Sequence, residues 1–179
     1  MVRISRFLAL RATLRDYQRH GLTWLDQLTT LGLGCCLADD MGLGKTITVI
    51  ALHLHRLESS SDQARPTLVV CPASLLGNWE AEIERFAPGT PVRRFHGGRR
   101  SLADLEGALP GTDPGFVLTT YGTLRSDHGT RDASGLRLRD VTWGLVVADE
   151  AQHVKNAASA AARALRAIPG LLGSRNAFR

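Results

Sequence analysis

Lysine is nearly missing from this chain. Of 22 basic residues only Lys45 and Lys155 are lysines, and the rest are arginines. The arginines are spread out rather than blocked. Their densest group, Arg93, Arg94, Arg99 and Arg100, reads as a solvated surface rather than a nucleic-acid contact. Cysteine is scarce too. Cys35 and Cys36 are adjacent and Cys71 lies alone, each in an apolar stretch. No pair has zinc-ligand spacing, and an odd count argues against a disulfide framework; buried reduced thiols are expected. No apolar run approaches the ~20 residues that a membrane-spanning helix needs. Residues 1–12 mix Arg3, Arg6 and Arg11 with apolar residues, without the continuous apolar core or cleavage site of a secretory signal. Internal repeats and low-complexity segments are absent. These absences point to a soluble, intracellular, cytoplasmic chain with no membrane partner.

What is present suits one folded domain. The 179 residues are 44% hydrophobic and 22% charged, enough to bury a core. A net charge of +5 and a pI near 9.7 suit an anionic partner such as nucleic acid.

Hydrophobic periodicity gives the elements. Leu14, Tyr17, Gly21, Trp24, Leu25 and Leu28 recur at helical spacing, so residues 13–28 read as an amphipathic helix. Residues 35–38 form a short apolar run, a buried strand, and residues 46–57 a helix packed on a sheet. Residues 67–71 are the clearest strand, closed by Pro72. Ser74 is placed to cap a helix over residues 75–86. Strands are expected at residues 92–95, 115–120 and 143–148, and helices at 102–109 and 157–167, with a polar surface excursion over 127–135. Apolar strands alternating with helices predict an α/β fold, a mostly parallel sheet with helices on both faces. Ligands bind beyond the carboxyl ends of such strands. The segments with chemical character, residues 39–46, 72–79, 120–121 and 149–150, fall at those ends.

Gly42-Leu43-Gly44-Lys45-Thr46 stands between a strand and a helix. Glycines let backbone N–H groups approach a phosphate, and the helix start adds its positive dipole end. Lys45 can then reach the β- and γ-phosphates, and the Thr46 hydroxyl can ligate Mg²⁺. The full phosphate-loop pattern asks for glycine at position 39, where this chain has Asp39. The alternative is a plain glycine turn with a surface lysine. Asp149-Glu150 ends an apolar strand 104 residues after Lys45. Asp149 can hold the Mg²⁺, and Glu150 can act as general base on the attacking water. Alone, such a pair would as readily serve as a helix cap and first-turn acid. The glycine loop favours the catalytic reading. His53 and His55, two apart on a helix, cannot share a ligand and are expected at the surface, as is His153.

Five segments, taken in order, resemble the SWI/SNF-type ATPases of helicase superfamily two, nearest to bacterial HepA-like members. Leu14-Arg15-Asp16-Tyr17-Gln18 with Gly21-Leu22 and Trp24-Leu25 resembles that family's Q-motif region. Ala38-Asp39-Asp40-Met41-Gly42-Leu43-Gly44-Lys45-Thr46 is similar to motif I, in which Asp at position 39 is usual. Residues 69–79 with Glu82 resemble motif Ia, Thr119-Thr120-Tyr121 motif Ib, and Asp149-Glu150-Ala151-Gln152 motif II. The Pro72 to Trp79 and Thr120-Tyr121 segments disfavour an unrelated phosphate-loop kinase or transporter ATPase.

The resemblance implies a RecA-like lobe that binds ATP and Mg²⁺ within a DNA-dependent ATPase translocating on double-stranded DNA. It implies that Asp39, Asp40, Met41, Gly42, Leu43, Gly44, Lys45 and Thr46 form the nucleotide loop and that Gln18 reads adenine. Gln152 would couple the nucleotide to DNA or to a second RecA-like lobe. Ser74, Asn78, Trp79, Thr120 and Tyr121 would touch a DNA backbone without reading sequence. Trp79 alternatively packs in the core with Leu75 and Ile83 at helical spacing, and Tyr121 likewise. Residues 13–179 are expected to form the first lobe after an extension over 1–12. Ser174-Arg175-Asn176-Ala177-Phe178 resembles the strand before motif III, with motif III and the second lobe not in this sequence. A nucleoid-associated location in a bacterium is expected. So is very slow turnover by the chain alone, since the second lobe's arginines can be worth about 10³–10⁵ in rate. The alternative is a fragment that binds ATP without turnover.

Overall fold

A computed structural model describes residues 9–35, 44–59, 65–98, 100–102, 105, 113–127 and 136–169. Asp39, Asp40, Met41, Gly42 and Leu43 lie outside the described residues, as do most of the segments expected at 35–38, 102–109, 127–135 and 174–178.

Among the described residues four strands form one sheet, β1 (Thr67–Cys71), β2 (Val92–Arg94), β3 (Phe116–Thr120) and β4 (Leu145–Ala148). Their order is β2-β3-β1-β4, and every pair is parallel. Thr67 stands level with Phe116 on one side and Leu145 on the other. The helices are α1 (Asp16–Thr30), α2 (Lys45–Ser59), α3 (Leu76–Phe86), α4 (Tyr121–Asp127) and α5 (Ala160–Arg166). Among the described residues no helix is long and apolar enough to cross a membrane.

Strand periodicity sorts the core. Side chains alternate across a strand, so Leu68 and Val70 of β1 join Val117 of β3 on one face, against Leu124, Trp143, Leu165 and Ile168. Val69 and Cys71 join Phe116 and Leu118 on the other, against Ile50, Leu54, Leu76, Trp79 and Ile83. Both central strands are buried on both faces, which explains why each reads as an unbroken apolar run. Each fully buried aliphatic side chain there contributes roughly 1.5–3 kcal/mol. A third cluster packs Leu14, Leu22 and Leu25 on Ile47, Ala51 and Leu52, fastening α1 to α2.

Two local expectations are corrected. Ser74 caps nothing. A 3-10 turn, Ala73–Leu75, intervenes, with Leu75 N–H donating to the Pro72 carbonyl at 2.9 Å, and α3 starts without a side-chain cap. His53 and His55 are buried, not at the surface. His53 Nδ1 lies 2.9 Å from Thr67 Oγ1 and its Nε2 lies 3.1 Å from Asp113 Oδ1, while His55 Nε2 faces Asp26 Oδ2 at 3.5 Å. A buried polar ring is tolerable when its nitrogens are paired, as both are in His53, and these partners of both histidines come from distant segments. Cys71 is buried as expected, whereas Cys35 is only half-buried, and neither is in a disulfide. Burial, helped by the charge of Asp149, pushes the Cys71 thiol up to about 12.

Asp113 makes the acid side of stability testable. Burial by itself raises its carboxyl. His53, the Gly115 N–H and Thr90 more than offset this by hydrogen bonding and charge, and hold it below its ordinary range. A carboxyl depressed on folding stabilises above its unfolded pKa of about 3.9, and that stability is lost as pH falls through the folded value. Asp113→Asn is expected to lower the urea midpoint at pH 7 and to narrow the gap between pH 7 and pH 3. Equal gaps in the two proteins would refute this.

Candidate functional site

The direction of α2 fixes where its first residue lies. His53 meets Thr67 at the start of β1, and Arg56 donates to the carbonyl of Gly144 just before β4. The end of α2 is thus at the amino edge of the sheet. Lys45 stands eight residues earlier, roughly 12 Å up the helix axis at 1.5 Å per residue. A five-residue strand spans roughly 17 Å, so Lys45 and Thr46 lie toward the carboxyl edge. There β4 delivers Asp149, whose N–H still donates to Val70 O at 2.9 Å.

Gln18 of α1 reaches the same loop. Its Oε1 accepts from the Arg15 N–H at 2.9 Å, the return half of a capping box. Its Nε2 faces Gly44, and a Cβ added at Gly44 would lie 2.5 Å from that nitrogen. Gly44 also has φ +77°, a backbone that side chains rarely adopt. The positive φ favours glycine here, and Gln18 is buried with its amide against Gly44.

Asp149 is held from several directions. Trp79 Nε1 donates to its Oδ2 at 3.0 Å, and the Glu150 N–H donates to its Oδ1 at 2.9 Å. The Tyr121 hydroxyl donates to its main-chain oxygen at 2.7 Å. Burial, with the nearby charge of Asp149, raises the Tyr121 phenol above its ordinary range and keeps it a donor. Glu150 follows in the left-handed region at φ 52°, ψ 54°, and it alone among described non-glycine residues has positive φ. Such a residue costs roughly 1–3 kcal/mol and is typical of functional sites. Gln152 and His153 are exposed on the 3-10 turn Ala151–Val154, and the His153 ring stacks on Tyr121 at 5.3 Å.

The residues expected to touch DNA fall into two groups. Ser74 and Asn78 are exposed, as a backbone contact needs. Trp79, Thr120 and Tyr121 are buried, and their polar atoms are engaged inside the molecule. Trp79 and Tyr121 serve Asp149. The Thr120 hydroxyl accepts from the Thr123 N–H at 3.1 Å and so caps α4. For Trp79 and Tyr121 this placement is the core packing given as the alternative. Sequence reasoning gave His96 no role, yet its Nδ1 lies 2.8 Å from Thr123 Oγ1, beside that cap. Of the arginine group, Arg94 is exposed and paired to Glu80, whereas Arg93 is half-buried and donates to the Pro114 carbonyl at 2.9 Å and Arg100 is half-buried over the Phe95 ring.

The carboxyl edge therefore offers a lysine at a helix start, a hydroxyl at Thr46 and a carboxylate fixed through both oxygens. Those hard oxygen donors fit Mg²⁺, which leans on one or two protein oxygens plus phosphates and keeps its waters. No group of three or more His, Cys, Asp or Glu among the described residues is placed to hold a metal unaided.

The sequence profile of the SNF2-related domain matches residues 17–170. The chain belongs to the SNF2-related family. YwqA of Bacillus subtilis is 43% identical over 163 residues, covering 91% of this SNF2-related chain and 17% of YwqA. Chromodomain-helicase-DNA-binding protein 1-like of Mus musculus is 40% identical over 154 residues, 85% of this chain and 16% of that protein. The SWI2/SNF2 ATPase core of Sulfolobus solfataricus, solved in complex with dsDNA, superposes with a TM-score of 0.73 at 36% identity, covering 93% of this chain and 32% of that one. The fold is the RecA-like α/β fold of SNF2 ATPase cores, and the chain spans under a fifth of the length of the two protein relatives named.

Proposed function

We propose that this chain is the ATP-binding lobe of a DNA-stimulated ATPase that moves along double-stranded DNA and, when complete, hydrolyses ATP to ADP and phosphate. The observation that carries this reading is the shared edge of the sheet. A glycine–lysine helix start and a rigidly held acidic strand end both belong there, in a SNF2-related chain.

On this reading Lys45 binds the β- and γ-phosphates, aided by the α2 dipole and by loop N–H groups. Thr46 and Asp149 hold Mg²⁺, which when bound neutralises charge on the phosphate oxygens. Glu150, one residue beyond Asp149, takes the proton of the attacking water. Gln18, seated against Gly44, reads the adenine edge and favours ATP over other nucleotides. Gln152 is exposed for contact with DNA or with a second RecA-like lobe that contributes arginines to the transition state. Ser74 and Asn78 take phosphates of one DNA strand, a contact that positions without reading sequence. The dsDNA bound to the Sulfolobus solfataricus core supports duplex DNA as the partner.

Two measurements on this chain test the reading. Calorimetric titration is expected to show Mg²⁺-dependent binding that prefers ATP to GTP. Phosphate release is then followed with and without duplex DNA. Release that rises with DNA supports a working motor. Binding without release assigns this chain the nucleotide and leaves turnover to a second lobe. Absence of any nucleotide binding would sink the proposal.

A further inference from the structure

We propose that Trp79 is a positioning residue that ties occupancy of the exposed face of α3 to the acidic end of β4. This deepens the function proposed above and rests on its reading of α3 as DNA-facing and of Asp149 as the Mg²⁺ carboxylate.

Consecutive residues divide the labour. Asn78 points outward on the first turn of α3, and Trp79 beside it is buried with its indole N–H on Asp149 Oδ2 at 3.0 Å. The step from a solvent-facing amide to the candidate metal ligand is one residue and one hydrogen bond. A phosphate drawn to Ser74 and Asn78 bears on the start of α3, and any adjustment there moves the indole that orients the carboxylate. Trp79 belongs to the face of the sheet covered by α2 and α3, and Tyr121 to the face covered by α4 and α5. The Tyr121 hydroxyl closes on the main-chain oxygen of the same Asp149 at 2.7 Å. Both helical layers thus converge on one residue at the strand end, and Glu150 directly follows it in its strained backbone.

Core packing alone would need only a flat apolar ring at position 79, and phenylalanine provides one. Trp79→Phe therefore separates packing from positioning, because it keeps a ring and deletes the N–H. The coupling is measured as the ratio of MgATP dissociation constants without and with a saturating blunt duplex, and reciprocally as the DNA affinity with and without MgATP. The two ratios must agree by linkage. In the wild-type chain the ratio is expected to be about fivefold or more, the lower end of ordinary allosteric coupling. In Trp79→Phe it is expected to fall close to one in both directions of measurement, whatever the change in either separate affinity, because a merely structural loss would weaken binding without erasing the ratio. Tyr121→Phe, which removes a single hydroxyl, is expected to lower the ratio as well. It carries the test if Trp79→Phe lacks a cooperative melt. Wild-type coupling retained in the folded variants would overturn the inference, as would a wild-type chain that binds both ligands without coupling. Failure of the wild type to bind MgATP would instead remove the reading beneath it.

Discussion

Lys45→Ala is expected to weaken MgATP binding by about 10²- to 10³-fold while leaving the fold as stable as before. The loss follows from truncating one partner of a desolvated charge pair, which costs about 2–5 kcal/mol, with about 1.4 kcal/mol for each tenfold. The stability expectation follows from position. Lys45 is the first residue of α2, where a cation opposes the helix dipole by roughly 0.3–1 kcal/mol. Removing that charge and substituting the best helix former should leave the urea midpoint unchanged or slightly raised. Titration and denaturation of the same two proteins decide the matter. Unchanged binding would mean that the glycine turn is only a turn, and reduced stability would mean that Lys45 is a structural residue.

Gly115→Ala is expected to be the most damaging small substitution in the scaffold. Gly115 has φ +73°, and a Cβ there would lie 2.0 Å from the Pro91 carbonyl oxygen. That oxygen accepts the Phe116 N–H at 2.8 Å, and the Gly115 carbonyl accepts the Thr67 N–H at 3.0 Å. The position is a three-way backbone junction at the entry to β3 with no side chain that can yield. A left-handed alanine costs roughly 1–2 kcal/mol and an overpacked site about 1–3 kcal/mol more. For a chain of this size about 3 kcal/mol lowers the thermal midpoint by roughly 10 °C. Gly89→Ala is the matched control. Its φ is +86° with nothing within 4 Å of the added carbon. It should show the conformational cost alone, and equal losses in the two variants would disprove the steric account.

The sheet was legible because its central strands are buried on both faces. Residues 67–71 and 116–120 could hardly be anything else once an unbroken apolar run met Pro72 or a glycine. The glycine–lysine sequence before α2 and the acidic pair after β4 were visible because both are local patterns. Partners from far along the chain were not. Trp79 and Asp149 are 70 residues apart and His53 and Asp113 are 60 apart, so no periodicity at either position announces the pairing. Trp79 at helical spacing with Leu75 and Ile83 signals burial, yet burial does not disclose that the indole nitrogen has an acceptor waiting. Helix starts drifted for a related reason. Arg15 keeps an extended backbone, and the Gln18 side chain accepts its N–H, so α1 begins at Asp16 rather than Thr13.

On the proposed role of Glu150 as general base, its backbone sets the chain's durability against its chemistry. Glycine or asparagine would sit in that left-handed conformation at little cost, whereas glutamate gives up roughly 1–2 kcal/mol. A search for hardier variants of this chain, scored on thermal tolerance alone, would be drawn to position 150 and would record the removal of its carboxylate as an improvement. Any engineering of this lobe should therefore hold residue 150 fixed and look for its gains elsewhere.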